Sequence, residues 1–244
     1  MTNSRLKHRY SLALSLLTLL WLIPASADEV SLRGYNATYK LYKGGMYLAN
    51  TNLSLKRESG NRWHWRMKTK ARGIYAMLTK KQPFSETVFS HAPGDFRIHQ
   101  ITINDGPGEK KRESAKFDWD RGRVEVLRKN KTSSLDLVPD IYDLQSLHLL
   151  AAKMERQQIK HVTVDFYYKG KIKKSSFVSS GKKSVNVNGT SIPALVYEQR
   201  IARSDRKMRY YYDAENPHLP LRVERLESGE SPSVLTLDKV DWAL

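Results

Sequence analysis

The stretch RYYYDAENPHLPLRVE, residues 209–224, decides between two kinds of protein. Two carboxylates, Asp213 and Glu215, and the imidazole of His218 fall within six residues, a grouping suited to acid–base or metal chemistry. The same stretch also reads as two strands and their connection. Met208, Tyr210 and Tyr212 alternate with Lys207, Arg209 and Tyr211, and Leu219, Leu221 and Val223 alternate with Pro220, Arg222 and Glu224. Period two is the signature of a strand with one covered and one wet face. Asp and Asn at strand ends satisfy free backbone groups in turns. Pro217 and Pro220 oppose helix and push the residues before them into extended geometry. His218 has no Glu or His at metal-ligand spacing within a regular element. A hairpin explains nearly every residue type present. Its strands are expected at 206–213 and 219–227, with Ala214–His218 between them.

The alternation continues outward from this hairpin. Tyr35, Ala37, Tyr39 and Leu41 share one face; Trp63, Trp65 and Met67 share another, as do Val162, Val164 and Phe166. Turn residues punctuate these runs at Gly44-Gly45, Ser59-Gly60-Asn61, Pro93-Gly94-Asp95, Asp105–Gly108, Arg121-Gly122, Gly170, Asn188-Gly189 and Ser228-Gly229. The reading is a mainly β chain of about a dozen antiparallel strands. The sheet is expected to be strongly curved, as an open barrel or sandwich. One segment departs from it. In DIYDLQSLHLLAAKMERQQ, residues 140–158, Leu144, Leu147, Leu150 or Ala151, and Met154 recur at helical spacing. Asp140 or Asp143 suits its N-terminus, and Lys153 and Arg156 suit its C-terminus. This helix, about 142–157, is expected to cover the concave face. A weaker helical candidate is Gly73–Lys80.

Arg5, Lys7 and Arg9, the apolar run Leu12–Ile23, Pro24 and the small-residue site Ala25-Ser26-Ala27 have the form of a secretory signal. Cleavage is expected after Ala27, leaving a single domain, 28–244; the alternative is an uncleaved anchor. No Cys follows the cleavage point to be acylated. Cysteine is absent throughout, which excludes thiol catalysis, disulfide exchange and thiolate metal sites, so stability must come from a buried core. Beyond residue 27 there are 39 Lys and Arg against 25 Asp and Glu, a balance of +14. For an exported protein the natural counterions are anionic lipid or acidic envelope polymer, not nucleic acid. A solvated basic surface without a partner is the other reading.

Asp118 and Asp120 in FDWDRG, residues 117–122, would lie about 7 Å apart on one strand face, but the turn at Arg121-Gly122 makes a polar hairpin end the better reading. Ser146 and His148 are two apart on a helix and do not face each other. His148 is expected on the polar side of the helix with Gln145 and Glu155. No phosphate-binding loop, nucleophile elbow, zinc-protease helix or calcium loop occurs, and no cofactor or metal is expected. An enzyme, such as an envelope hydrolase, would need His148, Asp140, Asp143, Asp118 or His218 to converge from distant positions.

The leader, the opening strand GYNATYKLYKGGMYLANTNLSL, residues 34–55, the central PDIYDLQSLHLLA, 139–151, and the closing hairpin together resemble exported bacterial proteins grouped as domain of unknown function 3108. That resemblance brings no activity and no site residues. It implies export, most naturally to the periplasm of a Gram-negative bacterium. The closing hairpin is also similar to hairpins of periplasmic lipoprotein carriers, curved sheets wrapped around a helix with an apolar cavity; here the helix falls mid-chain, unlike theirs. The expectation is a non-enzymatic binding protein for a lipid, an acyl chain or a lipidated partner, lined by Tyr39, Trp65, Phe117, Leu147, Phe166 and Tyr210. Lys169, Lys171, Lys173 and Lys174 are the residues expected at an anionic surface. An interaction module for envelope polymer or a membrane complex is the remaining alternative.

Overall fold

The structure, a computed structural model, describes residues 32–73, 76, 82–92, 95–106 and 112–243. The expected signal segment, most of the 73–80 helical candidate and parts of the turns at 93–95 and 105–108 lie outside these residues. Fifteen strands form one curved, unclosed sheet in the order β8-β7-β6-β5-β4-β3-β2-β1-β15-β14-β13-β12-β11-β10-β9. In chain order they are β1 Tyr35–Lys43, β2 Met46–Ser59, β3 Arg62–Ala71, β4 Phe84–Ala92, β5 Asp95–Asn104, β6 Arg112–Asp118, β7 Arg123–Arg128, β8 Lys131–Asp136, β9 Ile141–Tyr142, β10 His161–Tyr167, β11 Ile172–Val187, β12 Thr190–Ile201, β13 Lys207–Asp213, β14 Pro220–Leu226 and β15 Ser233–Trp242. Every neighbouring pair is antiparallel except the short β9, which runs parallel to β10. Pairing of β1 with β15 joins the two ends of the meander at its centre.

The alternation read from the sequence sets the faces. Tyr35, Ala37 and Tyr39 are buried, as are Trp63, Trp65, Tyr210 and Tyr212. The opening stretch is the hairpin β13–β14. Asp213 Oδ1 accepts the Glu215 N–H at 2.9 Å, and the Leu219 N–H donates to the Asn216 carbonyl at 2.8 Å. His218 contacts Tyr35 and Trp242 rather than any acid.

The helix α1 spans Leu147–Arg156, shorter than the 142–157 expected. Residues 141–142 are taken by β9, and a turn fills 143–146. There Asp143 Oδ1 accepts the Ser146 N–H at 2.9 Å while Ser146 Oγ accepts the Asp143 N–H at 2.7 Å, a reciprocal pair that closes the turn leading into the helix. The sheet encloses this helix on more than one side. Leu147, His148, Leu149, Leu150, Ala151, Ala152 and Met154 are all buried. His148 is therefore not on a wet face, contrary to the sequence expectation.

The far ends of the sheet meet through side chains rather than a strand ladder. Ile98, Ala115, Phe117, Val124 and Val126 share a core cluster with Ile141 and Tyr167. Glu113 on β6 accepts the Tyr167 hydroxyl at 2.8 Å and the Gly170 N–H at 3.0 Å, and pairs with Arg128 at 2.7 Å. At Gly170, with φ of +72°, an added Cβ would lie 3.1 Å from Arg128 Cδ, so the β7–β8 and β10–β11 turns are in close contact.

The registers sort the turns onto two rims. The upper rim carries turns β1–β2, β7–β8, β10–β11, β12–β13 and β14–β15. The lower rim carries β2–β3, β6–β7, β11–β12 and β13–β14.

Candidate functional site

Inward-facing residues change character along the strands. Read from the lower rim upward, β1 presents Tyr35, Ala37, Tyr39 and Leu41, and β3 presents Trp63, Trp65, Met67 and Thr69. On β2 the order is Leu55, Leu53, Thr51, Ala49; on β4 it is Phe89, Thr87, Ser85; on β13 it is Tyr212, Tyr210, Met208. Large rings, with Leu55 and Leu53 on β2, fill the lower half, and small or flexible side chains occupy the upper half. A close-packed interior needs volume at every position. The upper half leaves some of it empty.

The result is an open cleft of about 280 Å³ between β1–β3, β13–β15 and the start of α1. Leu41, Leu53, Met67, Met208, Val223 and Leu235 supply its apolar wall, with Leu144 beside them. Leu144 is 42% exposed, although the sequence pattern placed it in the buried helical stripe. Polar lining comes from Thr51 and Thr69, whose hydroxyls are 2.9 Å apart, and from Gln145, Arg225 and Ser233. Arg225 is held by Glu227 at 2.7 Å.

His148 and Tyr210 supply rings to the same cleft. The His148 ring lies 4.7 Å from Trp65, and Nδ1 is 3.0 Å from the Tyr212 hydroxyl. Burial, with a smaller contribution from His218, pushes its pKa down to about 3, so the imidazole is neutral. Burial also raises the Tyr210 and Tyr212 phenols. Beside the cleft, Asp143 accepts a hydrogen bond from Thr87, and Gln145 donates to Ser85. Burial raises the Asp143 carboxyl, and bonds from Thr87 and Ser146 pull it back. These contacts tie the start of α1 to β4. They form an anchor, not a free acid.

The six residues expected to line a ligand site are all fully or nearly fully buried. Tyr39 and Trp65 sit in the central cluster, Leu147, Phe166 and Tyr210 in the helix cluster, and Phe117 at the seam between the sheet ends. Of them Tyr210 lines the cleft. Part of the remaining lining was legible as the loss of aromatic residues toward one end of the alternating runs on β1, β3 and β13. Of the four lysines, Lys169 and Lys173 lie over the Tyr168 ring at 5.1 and 5.7 Å, Lys174 pairs with Asp165 at 2.9 Å, and Lys171 is exposed in the turn.

The polar residues that an enzyme would need do not meet. Asp118 caps its own turn through the Arg121 N–H at 2.9 Å, and His218 Nε2 lies 3.3 Å from the Arg33 carbonyl. Asp143 and His148 have the partners given above, and Asp140 is exposed. Among the described residues no group of three or more His, Asp or Glu could hold a metal ion, and no helix is long and apolar enough to cross a membrane.

No curated protein matches the sequence. Among solved structures, the β-barrel-like protein of domain of unknown function DUF1849 from Brucella abortus aligns with a TM-score of 0.57 at 13% identity. The alignment covers 87% of this chain and 98% of that one. The two share a fold. The MucA/MucB complex of Pseudomonas aeruginosa aligns at a TM-score of 0.37 and 11% identity over 88% of this chain and 53% of that one. The hypothetical lipoprotein YmcC of Escherichia coli aligns at 0.31 and 10% over 85% of each chain. Residues 35–233 match the family described as "Protein of unknown function (DUF3108)", and the chain belongs to that family.

Proposed function

We propose that this protein is a non-enzymatic binding protein of the cell envelope that takes an acyl chain in the cleft at the upper end of its sheet. One observation carries the reading: the inward face loses its aromatic filling toward one end on four strands, β1, β3, β4 and β13, and leaves a cleft walled by Leu, Met and Val. The volume, about 280 Å³, is near the lower limit of small-molecule sites, roughly 300 Å³. That favours a slender alkyl chain over a bulky ring system. Flexible Met67 and Met208 suit a ligand whose bends vary. The secretory leader supports an exported, periplasmic setting.

The test is uptake of a fluorescent fatty acid in solution, together with native mass spectrometry of protein isolated from an envelope fraction. A bound lipid mass and saturable uptake are expected. Met208→Trp puts a ring at the cleft and should weaken uptake at least about tenfold while leaving the thermal midpoint nearly unchanged. A clean ligand-free mass with no uptake would remove the proposal.

A further inference from the structure

We propose that the protein docks on anionic lipid bilayers through its upper rim, with the mouth of the cleft toward the lipid. The inference builds on the acyl-chain reading of the cleft, and its support is the distribution of charge. On the upper rim, turns 43–46, 128–131, 168–174, 200–207 and 225–233 carry thirteen Lys and Arg against three acids, Asp205, Glu227 and Glu230. On the lower rim, turns 57–62, 118–123, 186–190 and 213–218 carry four Arg against five acids. The meander separates what is interspersed along the chain. Wrapping of the sheet then brings the β7–β8 and β10–β11 turns into contact at Gly170, so Lys129 and Lys169 belong to neighbouring turns although 40 positions apart.

Much of this charge is uncompensated. Of the rim cations, Arg128 pairs with Glu113, Lys174 with Asp165 and Arg206 with Glu227, while on the outer face Arg209 pairs with Glu198 and Arg222 with Glu224. The acids of the β14–β15 turn are likewise taken, Glu227 by two arginines and Glu230 by Lys43. Lys129, Lys131, Lys171 and Arg203 are exposed and have no acidic partner within salt-bridge distance among the described residues. A single rim of like charge is costly for a protein alone and is relieved by a surface of opposite charge. Two further features point to a bilayer. Met46, 58% exposed, stands at the β1–β2 turn of this rim, where an apolar tip can enter the headgroup region. The cleft reaches the same rim at Met208, Arg225 and Ser233, each at the upper end of its strand.

The experiment is cosedimentation with vesicles of mixed phosphatidylglycerol and phosphatidylethanolamine across a salt series. Two quadruple variants lose the same charge. One is Lys129→Gln, Lys131→Gln, Lys169→Gln and Lys171→Gln on the upper rim. The other is Arg57→Gln, Arg62→Gln, Arg121→Gln and Arg123→Gln on the lower rim. The upper-rim variant should bind at least about tenfold more weakly at low salt and with a shallower salt dependence. The lower-rim variant should bind like the parent. Equal losses in both would mean that net charge alone acts, and no loss in either, or equal binding to phosphatidylcholine vesicles, would also overturn the proposal. An independent measurement uses the lack of native cysteine. An environment-sensitive dye at Met46→Cys should shift to the blue on vesicles, and one at Asn61→Cys on the lower rim should not; the reverse pattern overturns the orientation. Acyl uptake in vesicle-free solution tests the cleft separately, so loss of docking with uptake intact sinks only this inference.

Discussion

His148 shows how a single side chain ties the interior to pH. Its ring is packed on Trp65 and bonded to Tyr212, and burial holds its pKa near 3, far below the ordinary 6.5. The unfolded chain takes up a proton below about pH 6.5 that the folded chain refuses. The neutral ring's contribution is therefore complete above that pH and declines as pH falls toward 3, by up to about 1.4 kcal/mol per pH unit. His218, also lowered by burial, acts in the same direction. Asp143 acts oppositely: its raised carboxyl favours the folded state at low pH and loses that contribution as pH rises through its pKa. His148→Phe keeps a ring against Trp65 and deletes only the first of these effects. In urea titrations the variant is expected to be less stable than the parent at pH 7, because Tyr212 loses its partner, with the gap narrowing or reversing by pH 4.5. A gap independent of pH would refute the neutral buried imidazole. The sequence placed this residue on a polar helix side because Gln145 and Glu155 flank its turn. Enclosure by a curved sheet is a tertiary fact that no local pattern records.

At the scale of elements, the strands were legible and the helix ends were not. Alternation is enforced by burial of one face, so Tyr35–Leu41, Trp63–Met67 and Met208–Tyr212 could be assigned directly, and the turn residues marked most of the hairpins. The helix was overestimated because Ile141 and Tyr142 continue its apolar spacing yet pair with β10. Asp143 is the residue that separates the two elements. Its carboxylate receives the Ser146 N–H in the turn before the helix and the Thr87 hydroxyl, so one side chain fastens the entry of α1 to β4. Asp143→Ala removes both bonds and leaves buried donors unpaired, an expected loss of about 1–3 kcal/mol in denaturant unfolding. Asp143→Asn can still accept from the Ser146 N–H and should cost less. If the two variants were equally stable, the carboxylate would be incidental to the helix start.

For the molecule as a whole, the unread feature was the side-chain seam between the far ends of the open sheet. A meander of hairpins has low sequence separation between partners, so each turn could be read from its own residues. The contact between β6–β7 and the β10–β11 turn joins segments more than 50 positions apart, and its central residue, Glu113, lies in an ordinary alternating run. Glu113 is 7% exposed and serves three partners across the seam, while the sheet's hydrogen-bond ladder ends at β8 and β9. Removing Glu113 strands the buried Tyr167 hydroxyl, while Arg128, 34% exposed, and the part-buried Gly170 N–H can turn to water. Glu113→Ala is accordingly expected to cost about 1–3 kcal/mol, against about 1 kcal/mol for Tyr167→Phe, which deletes one bond and leaves the carboxylate its other partners. Hydrogen exchange distinguishes a seam from a general support. Amides of β6–β8 and β10 should lose protection in Glu113→Ala, whereas β1–β3 and β13–β15, which are held by their own ladder and aromatic core, should keep theirs at the same pH and temperature. Uniform loss across all fifteen strands would mean that the sheet opens only as one unit and that the seam has no separate stability.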